Sequence, residues 1–133
     1  MPPVPKIVAF IVCDEIHRDP ATNKAYLLGI FNQVMVREFP GKHEHMHVYV
    51  SLVNGHGKAR AALSLRCDGG AQEVFRAQGE IEFPNPLAVV EMDFEIRKLL
   101  LPKAGEYQLE LTCNDEIVAI RPFRVVGMRS APQ

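Results

Sequence analysis

The sequence predicts an all-β domain: an antiparallel β-sandwich of about eight or nine strands, Ig-like or jelly-roll Greek key in layout, with at most one short helical turn. Three observations carry this. Turn-forming residues recur at close spacing, as Asp19-Pro20, Pro40-Gly41, Asn54-Gly55-His56-Gly57, Asp68-Gly69-Gly70, Pro84-Asn85-Pro86, Pro102 to Gly105 and Asn114-Asp115. The runs between them have strand length and alternate polar with apolar residues. No run carries the 3.6-residue period of a long amphipathic helix.

Taken in order, Ile7 to Val12 is apolar on both parities, so it is covered on both sides or meets another chain. The stretch Lys24 to Phe39 is too long for one ordinary strand and is expected to turn near Gly29 or Asn32-Gln33. In the next run Met46, Val48, Val50 and Leu52 share one parity. His43, His45 and His47 share the other with Tyr49 and Ser51. From Ala59 to Cys67, Ala61, Leu63, Leu65 and Cys67 oppose Arg60, Ser64 and Arg66. From Phe75 to Phe83, Phe75, Ala77, Ile81 and Phe83 oppose Arg76, Gln78, Glu80 and Glu82. Between Leu87 and Ile96, Val90, Met92, Phe94 and Ile96 oppose Glu91, Asp93 and Glu95. The best helical turn is Arg97 to Leu101, closed by Pro102. Tyr107 follows the Gly105 turn as in a tyrosine corner, where the hydroxyl bonds back to upstream backbone. A final hairpin turns at Asn114-Asp115. Pro122 cannot donate to a ladder, which places it at an edge or bulge. Residues 1–133 read as one domain, with residues 1–5 and 128–133 as frayed ends.

Composition limits the function. With 15 basic and 16 acidic residues interleaved, the net charge is −1, and the basic stripe that nucleic acid requires is missing. Cys13, Cys67 and Cys113 form no C-x-x-C pair and lie at the ends of apolar runs, so buried reduced thiols are expected. The apolar run Ile7 to Cys13 is too short to cross a bilayer and lacks the basic flank of a signal peptide. A cytoplasmic protein with no membrane or nucleic-acid partner is the expectation.

Among constellations with chemistry, His43-Glu44-His45-Met46-His47 is the sharpest. Imidazoles at i, i+2 and i+4 of a strand point one way, and three can hold zinc with a position left for water. Against this, side chains along one strand spread out, and Glu44 points away, so that face offers no carboxylate of its own. A polar strand face is the plainer explanation. Glu80 and Glu82 with Glu91, Asp93 and Glu95 would form a carboxylate face if their strands were neighbours. Arg60, Arg66 and Arg76 are at hand as cross-strand partners instead. The scattered aspartates form no calcium loop. Cys67 with His56 as a thiol/imidazole pair rests on sequence proximity alone. The lack of Trp disfavours a carbohydrate platform. Tyr26 to Phe31 is apolar with little alternation. Ile7, Ala9 and Ile11 with Tyr26, Leu28 and Ile30 are therefore the candidate homodimer contact.

The opening Ala9-Phe10-Ile11-Val12-Cys13-Asp14, the Leu28-Gly29-Ile30-Phe31 stretch, Gly105-Glu106-Tyr107 and Pro122-Phe123-Arg124-Val125 resemble a family of small uncharacterised bacterial β-sandwich proteins, a domain of unknown function. The resemblance spans most of the chain and implies no activity and no site residues. The expected function is a non-enzymatic binding or scaffold module that self-associates, with no cofactor. The alternatives are a metal-binding protein or metal-dependent hydrolase using zinc on the His43/His45/His47 face, and a sandwich that binds a small molecule or carbohydrate.

Overall fold

The computed structural model describes residues 4–128. Nine strands follow in chain order: β1 (Lys6–Arg18), β2 (Ala25–Ile30), β3 (Gln33–Val36), β4 (Gly41–Val53), β5 (Gly57–Cys67), β6 (Gln72–Phe83), β7 (Val90–Leu101), β8 (Gly105–Cys113) and β9 (Glu116–Gly127). They form a four-stranded sheet of order β2-β1-β4-β7 and a five-stranded sheet of order β3-β9-β8-β5-β6. The all-β sandwich is as the alternation predicts. No helix occurs among the described residues, and none is long and apolar enough to cross a membrane.

The core follows from the two-residue period. Met46, Val48, Val50 and Leu52 of β4, with Phe94 and Ile96 of β7, turn inward from the four-stranded sheet. Ala61, Leu63, Leu65, Leu109, Leu111 and Phe123 meet them from β5, β8 and β9. Phe123, Leu63, Leu65 and Leu109 are fully buried, and each such side chain contributes about 1.5–3 kcal/mol relative to exposure.

The stretch from Lys24 to Phe39 divides as expected. β2 ends at Ile30, and the chain passes to the other sheet through Phe31 and Asn32 before β3. Two details differ from the sequence reading. The sandwich is not wholly antiparallel, because β3 pairs in parallel with β9, Gln33 with Arg124 through Val36 with Gly127. The expected helical turn at Arg97–Leu101 is the end of β7. Lys98 there has a φ of 52°. This shifts the buried parity from Phe94 and Ile96 to Leu99 and Leu101, so the strand continues with its faces exchanged. The loss of alternation that looked like a helical turn is that exchange.

The tyrosine corner is present. Tyr107 is buried, and its hydroxyl donates to the Lys103 carbonyl at 2.6 Å and accepts from the Lys103 N–H at 3.4 Å. Pro122 lies beyond the residues of β9 that pair with β3, so β9 is locally an edge there, as its missing N–H requires. Of the ends expected to fray, Val4 and Pro5 lie outside any strand. The Met128 N–H donates to the Val36 carbonyl at 2.8 Å. The rest of those ends lies outside the described residues.

Candidate functional site

The outer face of the four-stranded sheet gathers most of the chemistry, and strand register sets its layout. Directly paired residues share a sheet face. One row across the sheet therefore runs Ile30, Cys13, His47, Glu95; the next runs Ile11, Tyr49, Asp93; a third runs Ala9, Ser51, Glu91. Apolar residues of β2 and of β1 up to Cys13 dominate one half of the face, where Glu15 and His17 also stand opposite Leu28 and Tyr26, and ionisable residues of β4 and β7 occupy the other.

Within the ionisable half the contacts are diagonal. His45 Nε2 lies 2.8 Å from Glu95 Oε2, although its direct partner is Arg97. His47 Nδ1 lies 2.8 Å from Asp93 Oδ1, although its direct partner is Glu95. The Tyr49 hydroxyl donates to Glu91 although its direct partner is Asp93. Each β4 side chain thus reaches the carboxylate one pleat beyond its opposite number, a reach within the diagonal spacing of antiparallel strands. The ladder ends in cations: Arg18 lies 3.1 Å from Glu91, and Arg97 3.0 Å from Glu95. Glu95 is held below the usual carboxylate range, chiefly by the His45 hydrogen bond, with Arg97 adding to it. Glu91 is lowered chiefly by the Tyr49 hydroxyl and then by Arg18. Burial, and next the neighbouring Asp93, push the Cys13 thiol up.

Ligand atoms of His45, His47 and Glu95 all lie within 4.8 Å of one another. The two rings meet edge to face with centroids 4.9 Å apart. The third expected imidazole is absent from this group. His43 pairs with Leu99, which belongs to the core, and its ring packs 5.7 Å from Phe31, which in turn packs on Phe123. The exchange of faces at the Lys98 end of β7 carries β4 with it, so His43 and His45 do not share a face. The His43 Nε2 is buried without a hydrogen-bond partner, and burial lowers its pKa. Glu44 is exposed and outside the cluster, as expected. The sequence reading missed Asp93 and Glu95 as neighbours because they come from another strand. The signal available was the matched rows of His45, His47, Tyr49 and Glu91, Asp93, Glu95.

Of the candidate contact residues, Ala9, Ile11, Tyr26, Leu28 and Ile30 do share the outer face. Ile7 does not: it pairs with the core residue Leu52, and a bulge between Ile7 and Ala9 separates it from the rest. Tyr26, Leu28 and Ile30 are 48%, 50% and 60% exposed. Gly29 has a φ of 70°, which favours glycine, and a Cβ there would have to displace the Asp14 side chain. Beside it a cleft of about 310 Å³ is lined by Asp14, Ile30, Phe31, Val34, Met35 and His43, among others.

The remaining candidates are separated or paired. Glu80 and Glu82 sit on β6, in the other sheet from Glu91, Asp93 and Glu95, opposite Arg60 and Lys58. Arg66 lies 3.3 Å from Glu73 and 3.4 Å from Glu110. Cys67 and His56 flank opposite ends of β5, a strand of that length spanning roughly 35 Å. All three cysteines are buried and free.

No curated protein matches the chain. Among solved structures, it is similar to the sensor domain of the anti-sigma factor RsgI4 of Pseudobacteroides cellulosolvens, with 10% identity, a TM-score of 0.43, and 94% of this chain and 97% of that one covered. A family model matches residues 8–126, and the chain belongs to that family, a family of unknown function (DUF6941).

Proposed function

We propose that the protein is a non-enzymatic binding module that self-associates through the free edge of β2. The observation that carries this is a contrast between sheet edges. Edge strands normally carry charge, are cut short or are covered, because their open N–H and C=O groups would otherwise recruit another strand. β7 carries Glu91, Asp93, Glu95, Arg97 and Lys98. β6 carries Glu73, Arg76, Glu80 and Glu82, and β3 has only 4 residues. β2 reads AYLLGI, without a charge, and exposes Tyr26, Leu28 and Ile30.

An antiparallel strand pair is complementary to itself about a two-fold axis. Pairing centred on Leu27 sets Tyr26 opposite Leu28 of the second copy, twice, on the outer face, and joins two four-stranded sheets into one. Gly29 kinks the end of β2, which leaves Tyr26 to Leu28 as the straight segment for this ladder. The buried free thiols of Cys13, Cys67 and Cys113 favour a reducing, cytoplasmic setting.

Light scattering on size-exclusion effluent tests the reading. Tag-free protein is expected at about twice the chain mass of 14.9 kDa, and Leu28→Lys at the chain mass with unchanged circular dichroism. A wild-type protein that stays monomeric at high micromolar concentration overturns it.

A further inference from the structure

Beyond self-association, and independently of it, the geometry points to a transition-metal site on the other half of the same face. In it His45, His47 and Glu95 bind one Zn²⁺ and Asp93 positions His47. Two ligand atoms about 2.1 Å from a tetrahedral zinc ion lie about 3.4 Å from each other. The observed separations from Glu95 Oε2, 2.8 Å to His45 Nε2 and 3.7 Å to His47 Nε2, bracket that value. Two imidazoles and one carboxylate are a zinc ligand set, and they leave a fourth position open to water or an anion.

A further feature separates this cluster from a chance meeting of polar side chains. His47 Nδ1 is already engaged by Asp93 at 2.8 Å. That contact fixes the tautomer with the proton on Nδ1 and leaves Nε2, the atom turned to Glu95, with a free lone pair. A carboxylate behind a histidine in this way orients the ring and raises its basicity toward a metal. His47 is held firmly, with only 11% of its side chain exposed, whereas His45 and Glu95 are 29% and 44% exposed and open to an ion from solvent. The proton that His45 now shares with Glu95 is the one a metal ion replaces. Arg97 competes for the same Glu95 oxygen at 3.0 Å, but its side chain is 68% exposed and free to swing into solvent. Cys13 stands cross-strand from His47 yet is not one of the clustered ligands.

The test is titration of the tag-free full chain with Zn²⁺ against a chromophoric chelator, followed by Co²⁺ substitution. One equivalent is expected to bind. His45→Ala and His47→Ala should each weaken binding by about 100-fold, and Asp93→Asn by about 10–100-fold, the range found for carboxylates behind a metal-bound histidine. Arg97→Ala should tighten it, and His17→Ala and His56→Ala should leave it unchanged. The Co²⁺ protein should show the strong visible bands of a low-coordinate ion. All these side chains except His47 are at the surface, so circular dichroism is expected to remain native. Should His47→Ala fail to fold, the surface variants His45→Ala and Asp93→Asn still test the site. The proposal is overturned if the His45→Ala/His47→Ala double variant binds Zn²⁺ as tightly as the wild type, or if the affinity follows His17 or His56. It is also overturned if Co²⁺ shows only the weak bands of the hydrated ion. A monomeric wild type would remove the self-association proposal and leave this one standing.

Discussion

Replacing Tyr107 with phenylalanine removes one oxygen from a buried corner and nothing else. The hydroxyl makes two contacts, both to the backbone of Lys103: a short donated bond of 2.6 Å and a long accepted one of 3.4 Å. A neutral hydrogen bond contributes about 0.5–1.5 kcal/mol net, and a buried partner left unmatched adds about 1–3 kcal/mol. Lys103 is itself exposed, so water can reclaim much of its carbonyl and only about 0.5 kcal/mol of the added penalty applies. The sum is a loss of about 1–2 kcal/mol. The ring stays, so no cavity forms. For 133 residues the entropy of unfolding is about 0.28 kcal/mol/K, which converts the loss to a fall in Tm of about 4–7 °C. Urea unfolding should show a lower midpoint at unchanged m-value, because the surface exposed on unfolding is the same. A Tyr107→Phe protein within about 0.3 kcal/mol of the wild type would refute the reasoning, since the corner would then be geometry without energy.

Three further outcomes are expected. Phe123→Ala should cost about 3–5 kcal/mol in chemical denaturation, because Phe123 is fully buried between the sheets and packs on Phe31. Gly55→Ala should cost about 1–3 kcal/mol, because a Cβ would lie 2.3 Å from the ring of Phe83, a buried side chain that cannot yield cheaply. The third concerns His43, whose pKa is lowered by burial despite the opposing pull of Asp14 and Glu44. The unfolded chain therefore binds a proton that the folded one refuses, and stability falls as pH drops from the ordinary histidine value near 6.5 toward the lowered one. His43→Leu should flatten that part of the stability-versus-pH curve, and denaturation at several pH values would show whether it does.

Much of the fold was legible because a two-residue period and the turn residues between runs are local signals. Tyr107 announced its corner through Gly105 two residues earlier. The strand at Arg97–Leu101 was not legible, since a left-handed residue at Lys98 breaks alternation in the same way that a helical turn does. The same exchange of faces hid the departure of His43 from its two neighbours. The partners of His45 and His47 were out of reach for another reason. Asp93 and Glu95 are near them only because β7 lies beside β4, and strand order is a property of the whole chain. The parallel pairing of β3 with β9 is likewise a contact between residues far apart in sequence.

That pairing fixes the order in which the molecule can be finished. All strands of the four-stranded sheet lie before Pro102, whereas the five-stranded sheet needs β8 and β9 to join β3 to β5. As the chain emerges from the ribosome, one layer can assemble while the layer that roofs it is still two fragments. Met46, Val48, Val50 and Phe94 then wait on an open apolar surface until Leu109, Leu111 and Phe123 arrive. A chain stopped after Leu101 is therefore a sheet under an incomplete cover, with β3 detached from β5 and β6, and such a surface draws other chains to it. Shortening this protein from its C-terminal side should yield aggregates rather than a smaller domain, while the full sandwich closes only when its ninth strand is delivered.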